Sequence, residues 1–258
     1  MWERDYIVKF DIFKNSIIGY KNLIRGSKSQ DYIDYKKEDK YIICSVADGH
    51  STNFFKHSSE GAKFACEASI EVLSKYFNFK IEDIEENLNN YEIQTLIDSR
   101  WREMVEDHYK QNYPKVFKVE YIKYATTFLS VMITEEFIIC LKLGDGDIVI
   151  KNRDIYECVI NNRSNNVVDS LGRVGEYKHI MYSILEKYDE DINIALFTDG
   201  YSNSFENKTE LFSSLEKTIQ SYNKSIFSRF NLSNNYTNYL NNISKNITYD
   251  DITIAFII

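Results

Sequence analysis

The sequence predicts an α+β fold in which two antiparallel β-sheets pack together between layers of helices. Short runs rich in β-branched and aromatic residues fill the start of the chain, and two helical patterns follow them. Many further β-type runs, two more helical patterns and a last β-type run complete it. Strands joined by short turns, with helices grouped apart from them, are typical of antiparallel sheets covered by helices. We therefore expect a four-layer αββα sandwich.

The first half of the chain is expected to contain three strands and two helices. The β-type runs occupy residues 6–13, 15–20 and 41–46. Either Ser58 or Ser59 is a suitable N-cap for the first helix, whose apolar residues recur every three or four positions from Ala62 onwards. The second helix keeps this period over residues 93–108, and the acidic residues 82–90 are expected to connect the two helices.

The second half is expected to be rich in strands, with two helices near its end. Turn-like residues join four β-type runs into an expected antiparallel meander, at 127–133, 137–143, 147–150 and 155–160. A polar stretch at residues 161–176 predicts a loop. Further strands are expected at 179–185, 192–198 and 252–258, and helices at 208–220 and 226–242. Since no repeat or change of composition divides the chain, we expect a single domain, residues 1–258.

Composition restricts the classes of function. With 43% hydrophobic and 27% charged residues, the chain can bury a core, and its formal charge of -8 works against binding nucleic acid or an anionic membrane. No stretch approaches the roughly 18 consecutive apolar residues of a membrane helix, and the charged opening residues are unlike a signal peptide. The four cysteines lack zinc-site spacing, so we expect buried free thiols in a cytoplasmic protein that binds neither nucleic acid nor membrane.

Aspartates recur at the ends of predicted strands. Asp48, Asp145 and Asp199 each follow a β-type run and precede a glycine, and Asp250 comes just before the last run. Glycine allows a tight turn and close approach of the backbone to a ligand, so these carboxylates can point into one cleft. Any single Asp-Gly pair is more often an ordinary turn. Clustered carboxylates, in contrast, need cations between them, and an all-oxygen set suits Mg²⁺ or Mn²⁺.

The order of these aspartates and their flanking residues resembles one known family. The segments are SQD at 29–31, VADGH at 46–50, SSEGA at 58–62, ATTF at 125–128, LGDGD at 143–147, FTDG at 197–200 and DDIT at 250–253. They resemble the successive motifs of the metal-dependent Ser/Thr protein phosphatases, the protein phosphatase 2C or PPM family. The spacing of Gly19, Gly26 and Asp31 is similar to that of its short, stand-alone bacterial branch. The resemblance implies the αββα fold with a short or missing flap, reduced here to residues 161–176.

The resemblance implies a site for two divalent ions, Mn²⁺ or Mg²⁺. Asp48 would bridge the two ions, and Asp199 and Asp250 would complete the protein ligands of the first. The carbonyl of Gly49 would bind the second ion, which Asp31 would approach directly or through a water.

Two further aspartates have lesser roles in the family pattern. Asp145 matches a residue that helps to hold a third, weaker ion. Asp251 is disfavoured as a ligand, because the pattern places the first residue of its Asp-Asp pair on the metal and leaves the second near the rim of the site.

The expected reaction is hydrolysis of phosphoserine or phosphothreonine by direct attack of a water that bridges the two ions. His50 matches the family histidine proposed as the general acid, although a solvent-exposed turn histidine is an equal alternative. Ser51 and Thr52 replace two small glycines of the family, which predicts a stiffer loop. Arg25 is the candidate phosphate-binding cation, with Lys28 as its rival.

The implied substrate is a phosphorylated protein, with a cognate Ser/Thr kinase as the opposing enzyme. One alternative is a pseudophosphatase that binds a phosphoprotein without turnover, and another is a two-metal nuclease or small phosphoester hydrolase, which would share the ion chemistry. His57, His108 and His179 are expected to be structural, because none has metal-ligand spacing to another His or Cys.

Overall fold

The computed structural model describes residues 9–115, 118–161, 168–186 and 191–258. Two five-stranded antiparallel sheets lie between two helical layers, so the predicted sandwich is confirmed. The strands are β1 Ile12–Ile17, β2 Asp31–Lys37, β3 Tyr41–Asp48, β4 Phe128–Thr134, β5 Phe137–Leu143, β6 Asp147–Asn152, β7 Ile155–Cys158, β8 Met181–Glu186, β9 Asn193–Phe197 and β10 Ile252–Ile257. The α-helices are α1 Tyr20–Arg25, α2 Ser58–Leu73, α3 Ile81–Asn89, α4 Glu92–Asn112, α5 Asp199–Ser202, α6 Lys208–Lys224 and α7 Ile226–Ile243.

The two sheets draw their strands from distant parts of the chain. One sheet has the order β2-β3-β4-β5-β8, and the other has the order β1-β10-β9-β6-β7. Helices α2, α3 and α4 cover the first sheet, and α6 and α7 cover the second. Because both faces of the central strands are covered, β4 and β5 are buried along their whole length and read as continuous apolar runs rather than alternating ones.

A separate apolar layer joins the two sheets. Val131 and Ile138 of the first sheet belong to the same buried cluster as Ile148 and Leu196 of the second. Burial of this kind stabilises a fold by roughly 25 cal/mol for each Å² of apolar surface removed from water. All four cysteines are free thiols, as expected, although Cys158 is only half-buried.

The predicted meander is wrong. β4 and β5 form a hairpin in one sheet, and β6 and β7 form a hairpin in the other, so residues 144–146 cross between the sheets. The turn residues resemble those of a hairpin, but local turn chemistry does not specify which sheet the next strand joins.

Several local predictions also need correction. The acidic connection is a helix, α3, which buries Ile84 and Leu88 one turn apart. Residues 20–37 contain α1 and β2, neither of which the sequence analysis predicted. The N-cap of α2 is His57, and Ser58 is the first helical residue, whose hydroxyl donates to the carbonyl of His50 instead.

Between β7 and β8, the described residues contain one short 3₁₀ helix, Glu176–His179. Part of the expected flap at 161–176, residues 162–167, lies outside the described residues. None of the helices in the described ranges combines the length and apolarity needed to span a membrane.

Candidate active site

Two pairs of strand ends carry four aspartates to one edge of the sandwich. Asp31 begins β2 and lies directly opposite Asp48, which ends β3. In the other sheet, β9 ends just before Asp199 and its antiparallel partner β10 begins just after Asp250 and Asp251. Because an antiparallel strand ends beside the start of its neighbour, strand register brings each pair together.

Asp145 reaches the same edge through the crossover between sheets. Gly144 has φ of 104°, and a Cβ there would lie 2.4 Å from Cγ2 of Thr127. A Cβ on Gly146 would lie 2.6 Å from the carbonyl oxygen of Phe197. Only glycine fits both positions without displacing neighbouring atoms, so the two glycines permit the close packing that holds Asp145 between the sheets.

Asp48 lies at the electrostatic centre of the site. Burial raises the pKa of its carboxyl well above the ordinary value, and the carboxylates of Asp31, Asp199, Asp250 and Asp145 raise it further, in that order. Each of these side chains must therefore lie within electrostatic range of Asp48. The five aspartates that the sequence analysis selected as metal ligands thus lie within electrostatic range of Asp48, although among the described residues no three of them have carboxylate oxygens within 4.8 Å of one another.

Burial and nearby charges also shift the pKa values of Asp199 and Asp145. Burial, followed by repulsion from Asp145 and Asp250, raises the pKa of Asp199 to about 6. Burial also raises the pKa of Asp145, whereas the positive charges of His50 and Lys142 oppose that rise. A set of carboxylates that destabilise one another's ionised forms is poised to accept cations.

Hydroxyl groups from two motifs hold Asp31. Its carboxylate is 8% exposed and accepts a hydrogen bond of 2.8 Å from Oγ1 of Thr198. The backbone N–H of Thr253 donates in turn to Oγ1 of Thr198, at 3.1 Å. Burial and then the charge of Asp251 raise the pKa of Asp31, which the hydrogen bonds from Thr198 and Thr253 lower in part.

The expectation that Asp251 lies near the rim is wrong. Its side chain is in the interior, where it accepts hydrogen bonds from the backbone N–H groups of Gly19 at 2.5 Å and Gln30 at 2.7 Å. The side-chain amide of Asn22 donates to it at 3.0 Å. Asp251 therefore ties the loops around α1 to the start of β10, and its oxygens are occupied by protein donors.

The backbone around Gly49 is fixed on both sides. The carbonyl of Asp48 accepts from the backbone N–H of Thr127 at 2.8 Å and from Oγ1 of Thr126 at 2.9 Å. Gly49 itself forms an isolated bridge with Thr126, and a Cβ on it would lie 2.5 Å from the carbonyl oxygen of Ser58. Close approach of α2 thus requires glycine at this position.

His50 and Arg25 line one cavity of about 460 Å³, whose described lining includes none of the five aspartates. The ring of His50 contacts Phe55, with centroids 4.7 Å apart. Burial lowers the pKa of His50, and the charge of Asp145 opposes this effect. Arg25 and Lys56 line the cavity and Lys28 does not, which favours Arg25 over Lys28 as the candidate phosphate-binding cation.

A cation on α1 that the sequence analysis did not select contacts the loop after His50. Nζ of Lys21 donates to Oγ of Ser51 at 3.2 Å. Ser51, which stands where the family has a small glycine, is thus tied to α1. This contact is consistent with the stiffer loop that was expected.

The three remaining histidines lie outside the aspartate cluster. His57 hydrogen-bonds the hydroxyl of Tyr113 at 3.0 Å, and His108 hydrogen-bonds that of Tyr124 at 2.8 Å. His179 lies 2.9 Å from a carboxylate oxygen of Asp169 and 3.3 Å from one of Glu176. Potential ligand atoms of these last three residues all lie within 4.8 Å of one another, a group that the spacing of His and Cys did not reveal.

The donor set of the five aspartates fits hard divalent cations. The donors are carboxylate oxygens at strand ends, and burial followed by neighbouring negative charge raises the pKa values of Asp48, Asp31 and Asp199. Mg²⁺ and Mn²⁺ prefer oxygen ligands and would relieve this repulsion.

Sequence reasoning missed the residues that support the aspartates. Thr127, Thr198 and Thr253 lie inside the quoted motifs, and their position beside an aspartate was the available signal. Lys142 is fully buried in β5, where its ammonium group contacts Asp147 at 2.9 Å. A lysine in an apolar run five positions before an aspartate could have indicated this ion pair.

Comparison with known proteins gives one family and a consistent fold. Residues 18–235 match the sequence profile of a family described as protein phosphatase 2C. A search of curated proteins finds no match.

Solved structures of bacterial phosphatases share the architecture. The S. agalactiae serine/threonine phosphatase is 17% identical, with a TM-score of 0.60, and the match covers 96% of this chain and 98% of that chain. The serine/threonine phosphatase Stp1 from Staphylococcus aureus is 12% identical, with a TM-score of 0.62, and the match covers 100% of this chain and 98% of that chain. PppA, a regulatory component of T6SS in Pseudomonas aeruginosa, is 12% identical, with a TM-score of 0.66 over 97% and 98%. At these identities the likeness concerns the fold.

Proposed function

The chain belongs to the protein phosphatase 2C family, and from that premise we propose that it is a metal-dependent protein serine/threonine phosphatase. The proposal treats residues 1–258 as one catalytic domain. The observation that carries it is the convergence of Asp31, Asp145, Asp199 and Asp250 on Asp48, whose pKa all four raise.

The proposed metal ligands follow from this arrangement. Asp48, at its centre, would be shared between two Mn²⁺ or Mg²⁺ ions. Asp199 and Asp250 would hold one ion, and Asp31 and the carbonyl of Gly49 would hold the other. When bound, such ions acidify a water and stabilise the negative charge that develops on a phosphoryl group.

Asp145 is proposed to help hold a third ion. Its charge acts on Asp48, Asp199 and His50, so it adjoins both the other carboxylates and the histidine. A single additional carboxylate provides less charge than the central group, so this ion would bind more weakly.

The chain's own cations and acids act on the substrate. His50 is proposed to hold the proton that the departing serine or threonine oxygen requires. Because Arg25 lines the same cavity, it is proposed to bind the phosphoryl oxygens, where a guanidinium can make two parallel hydrogen bonds. The substrate is accordingly a phosphorylated protein, and a Ser/Thr kinase would supply it.

Release of phosphate from a phosphothreonine peptide tests the proposal. Wild type should release phosphate with Mn²⁺ or Mg²⁺ and not with EDTA, and Asp48→Asn and Asp199→Asn should lose the activity. Asp34→Asn is the matched control, because Asp34 lies on β2 three residues beyond Asp31.

Two other outcomes would replace the proposal. Binding of the phosphopeptide without turnover would favour a pseudophosphatase. Release of phosphate from DNA or nucleotides but not from the peptide would favour a two-metal hydrolase of another class.

A further inference from the structure

Arg173 lies on a turn beside the candidate active site. Gly172 has φ of 113° and Gly175 has φ of 84°, so the residues around Arg173 turn through two conformations that favour glycine. Arg173 is exposed, and its neighbour Val174 is 96% exposed. The turn therefore presents Arg173 to solvent and to an approaching substrate.

Backbone pairing fixes how far this turn is from the metal ligands. Gly49 is bridged to Thr126, and Thr126 is bridged to Leu171, two residues before Arg173. Leu171 also donates its N–H to the carbonyl of Thr126 at 2.9 Å. Two steps of about 4.8 Å each place this segment roughly 10 Å from the backbone of Gly49.

A second arginine holds the turn in place. Nη2 of Arg102 donates to the carbonyl of Arg173 at 2.8 Å, and Nε of Arg102 pairs with Asp98 at 2.7 Å. The guanidinium of Arg102 also lies over the ring of Tyr121, 4.6 Å from its centroid. The guanidinium of Arg102 is thus paired within the protein, whereas that of Arg173 forms no ion pair with any carboxylate of the described residues.

Arg173 has no carboxylate partner among the described residues, and its charge reaches His50. Among the residues that the structure describes, no carboxylate forms an ion pair with its guanidinium, whereas its charge acts on His50 and lowers the pKa of that histidine. Arg173 is also not among the described residues that line the cavity shared by Arg25 and His50. It therefore stands outside the position where a phosphoryl group would meet Arg25.

We propose that Arg173 is a specificity-determining residue that binds an acidic side chain of the substrate near the phosphorylated residue. The inference rests on the proposed phosphatase function. An extended peptide advances about 3.5 Å per residue, so a distance of roughly 10 Å corresponds to two or three positions from the phosphothreonine. Arginine suits such contacts because it pairs with a carboxylate through two hydrogen bonds.

Three substrates test the inference with Mn²⁺-loaded protein. They are p-nitrophenyl phosphate, a phosphothreonine peptide with alanine on both sides, and the same peptide with glutamate two and three positions away on both sides. Arg173→Ala should raise KM for the acidic peptide about fivefold, which corresponds to the free energy of a partly solvated ion pair. The KM values for the other two substrates should change by less than about twofold.

Two variants serve as controls. Arg173→Lys keeps the charge and should recover part of the lost affinity. Lys75→Ala removes another exposed cation, just beyond the far end of α2, and should leave all three substrates unchanged.

Equal loss on all three substrates would overturn the inference, because Arg173 would then bind phosphate or maintain the fold. No loss on the acidic peptide would also overturn it.

A binding measurement separates this inference from the proposed function. The affinity of the two peptides is measured by fluorescence anisotropy, with a non-hydrolysable phosphonate in place of the phosphate. If wild type turns over no substrate, the proposed function fails. A fivefold loss of affinity confined to the acidic peptide in Arg173→Ala would still support the role of Arg173, and unchanged affinity would refute it.

Discussion

Asp31 and Asp48 face each other across the ladder between β2 and β3. Directly opposed residues of antiparallel strands have Cβ atoms about 5 Å apart, and like charges at this distance destabilise the sheet. Burial raises the pKa of both carboxyls; the charge of Asp31 raises that of Asp48 further, whereas for Asp31 the charge that adds to burial is that of Asp251. The fold thus maintains a repulsive pair at a strand end, where bound cations would relieve the repulsion.

Asp48→Asn should raise the stability of the metal-free protein and lower its phosphatase activity. Removing the central charge should stabilise the metal-free protein by about 1 kcal/mol or more, because four carboxylates then lose a repulsive neighbour. The same change should lower phosphatase activity by about 100-fold or more and abolish stabilisation by Mn²⁺. Thermal unfolding with and without Mn²⁺ measures both effects. Asp34→Asn should show neither, and a metal-free Asp48→Asn protein less stable than wild type would contradict the interpretation.

The metal-free protein should lose stability as the pH rises from about 4 to 6. The pKa of Asp199 is about 6 in the folded protein and 3.8 in the reference state, so between these values the folded state binds more protons than the unfolded state. Stability then falls with rising pH, and the cost of the ionised carboxyl reaches at most about 3 kcal/mol above pH 6. Urea unfolding in EDTA measures this effect. The pH dependence should be smaller in Asp199→Asn, and an equal dependence in both proteins would refute the assignment.

Much of the fold was predictable because long periodic segments carry a strong signal. Helices α2, α6 and α7 and strands β5, β9 and β10 follow the expected pattern closely. Short or exposed elements give a weaker signal. In α1, Leu23 and Ile24 are exposed, so no buried apolar stripe marks the helix.

Strand β2 was missed for a related physical reason. Most of its residues are only partly buried, and charged residues interrupt its tyrosines. Helix α3 likewise buries only Ile84 and Leu88 within an acidic segment. For such elements the tertiary contacts, rather than the local sequence, decide the structure.

The candidate site was predicted in part. Asp48, Asp145, Asp199 and Asp250 were visible in the sequence beside predicted strands, whereas Asp31, which begins the unpredicted strand β2, was selected through the family resemblance alone. The buried position of Asp251 and the ion pair of Lys142 with Asp147 depend on which strands become neighbours. The approach of Arg173 to His50 depends on the bridges of Thr126 with Gly49 and Leu171. Sequence spacing does not contain this information.

His50→Ala should affect the departure of the alcohol more than metal binding. Turnover of a phosphothreonine peptide should fall about 100-fold, because its alkoxide leaving group needs a proton. Turnover of p-nitrophenyl phosphate should change less than about threefold, since p-nitrophenolate leaves without one. Steady-state kinetics on both substrates, with a Mn²⁺ titration of each protein, make the comparison. An unchanged rate on the peptide would remove His50 from the proton-donor role.

Lys142→Met should destabilise the crossover that carries Asp145. The change leaves Asp147 without its ammonium partner in a largely buried position, which costs about 2–4 kcal/mol. The double variant Lys142→Met/Asp147→Asn should be more stable than Lys142→Met alone, because the unpaired charge is removed. Urea unfolding of the single and double variants measures the coupling. Additive destabilisation by the two changes would show that the ion pair does not hold the crossover.

Anomalous diffraction from crystals grown with Mn²⁺ tests the central claim most directly. Two strong peaks are expected among the carboxylates of Asp48, Asp199 and Asp250, with Asp31 and the carbonyl of Gly49 beside the second peak. An absence of peaks there, or a peak only at the group formed by Asp169, Glu176 and His179, would contradict it.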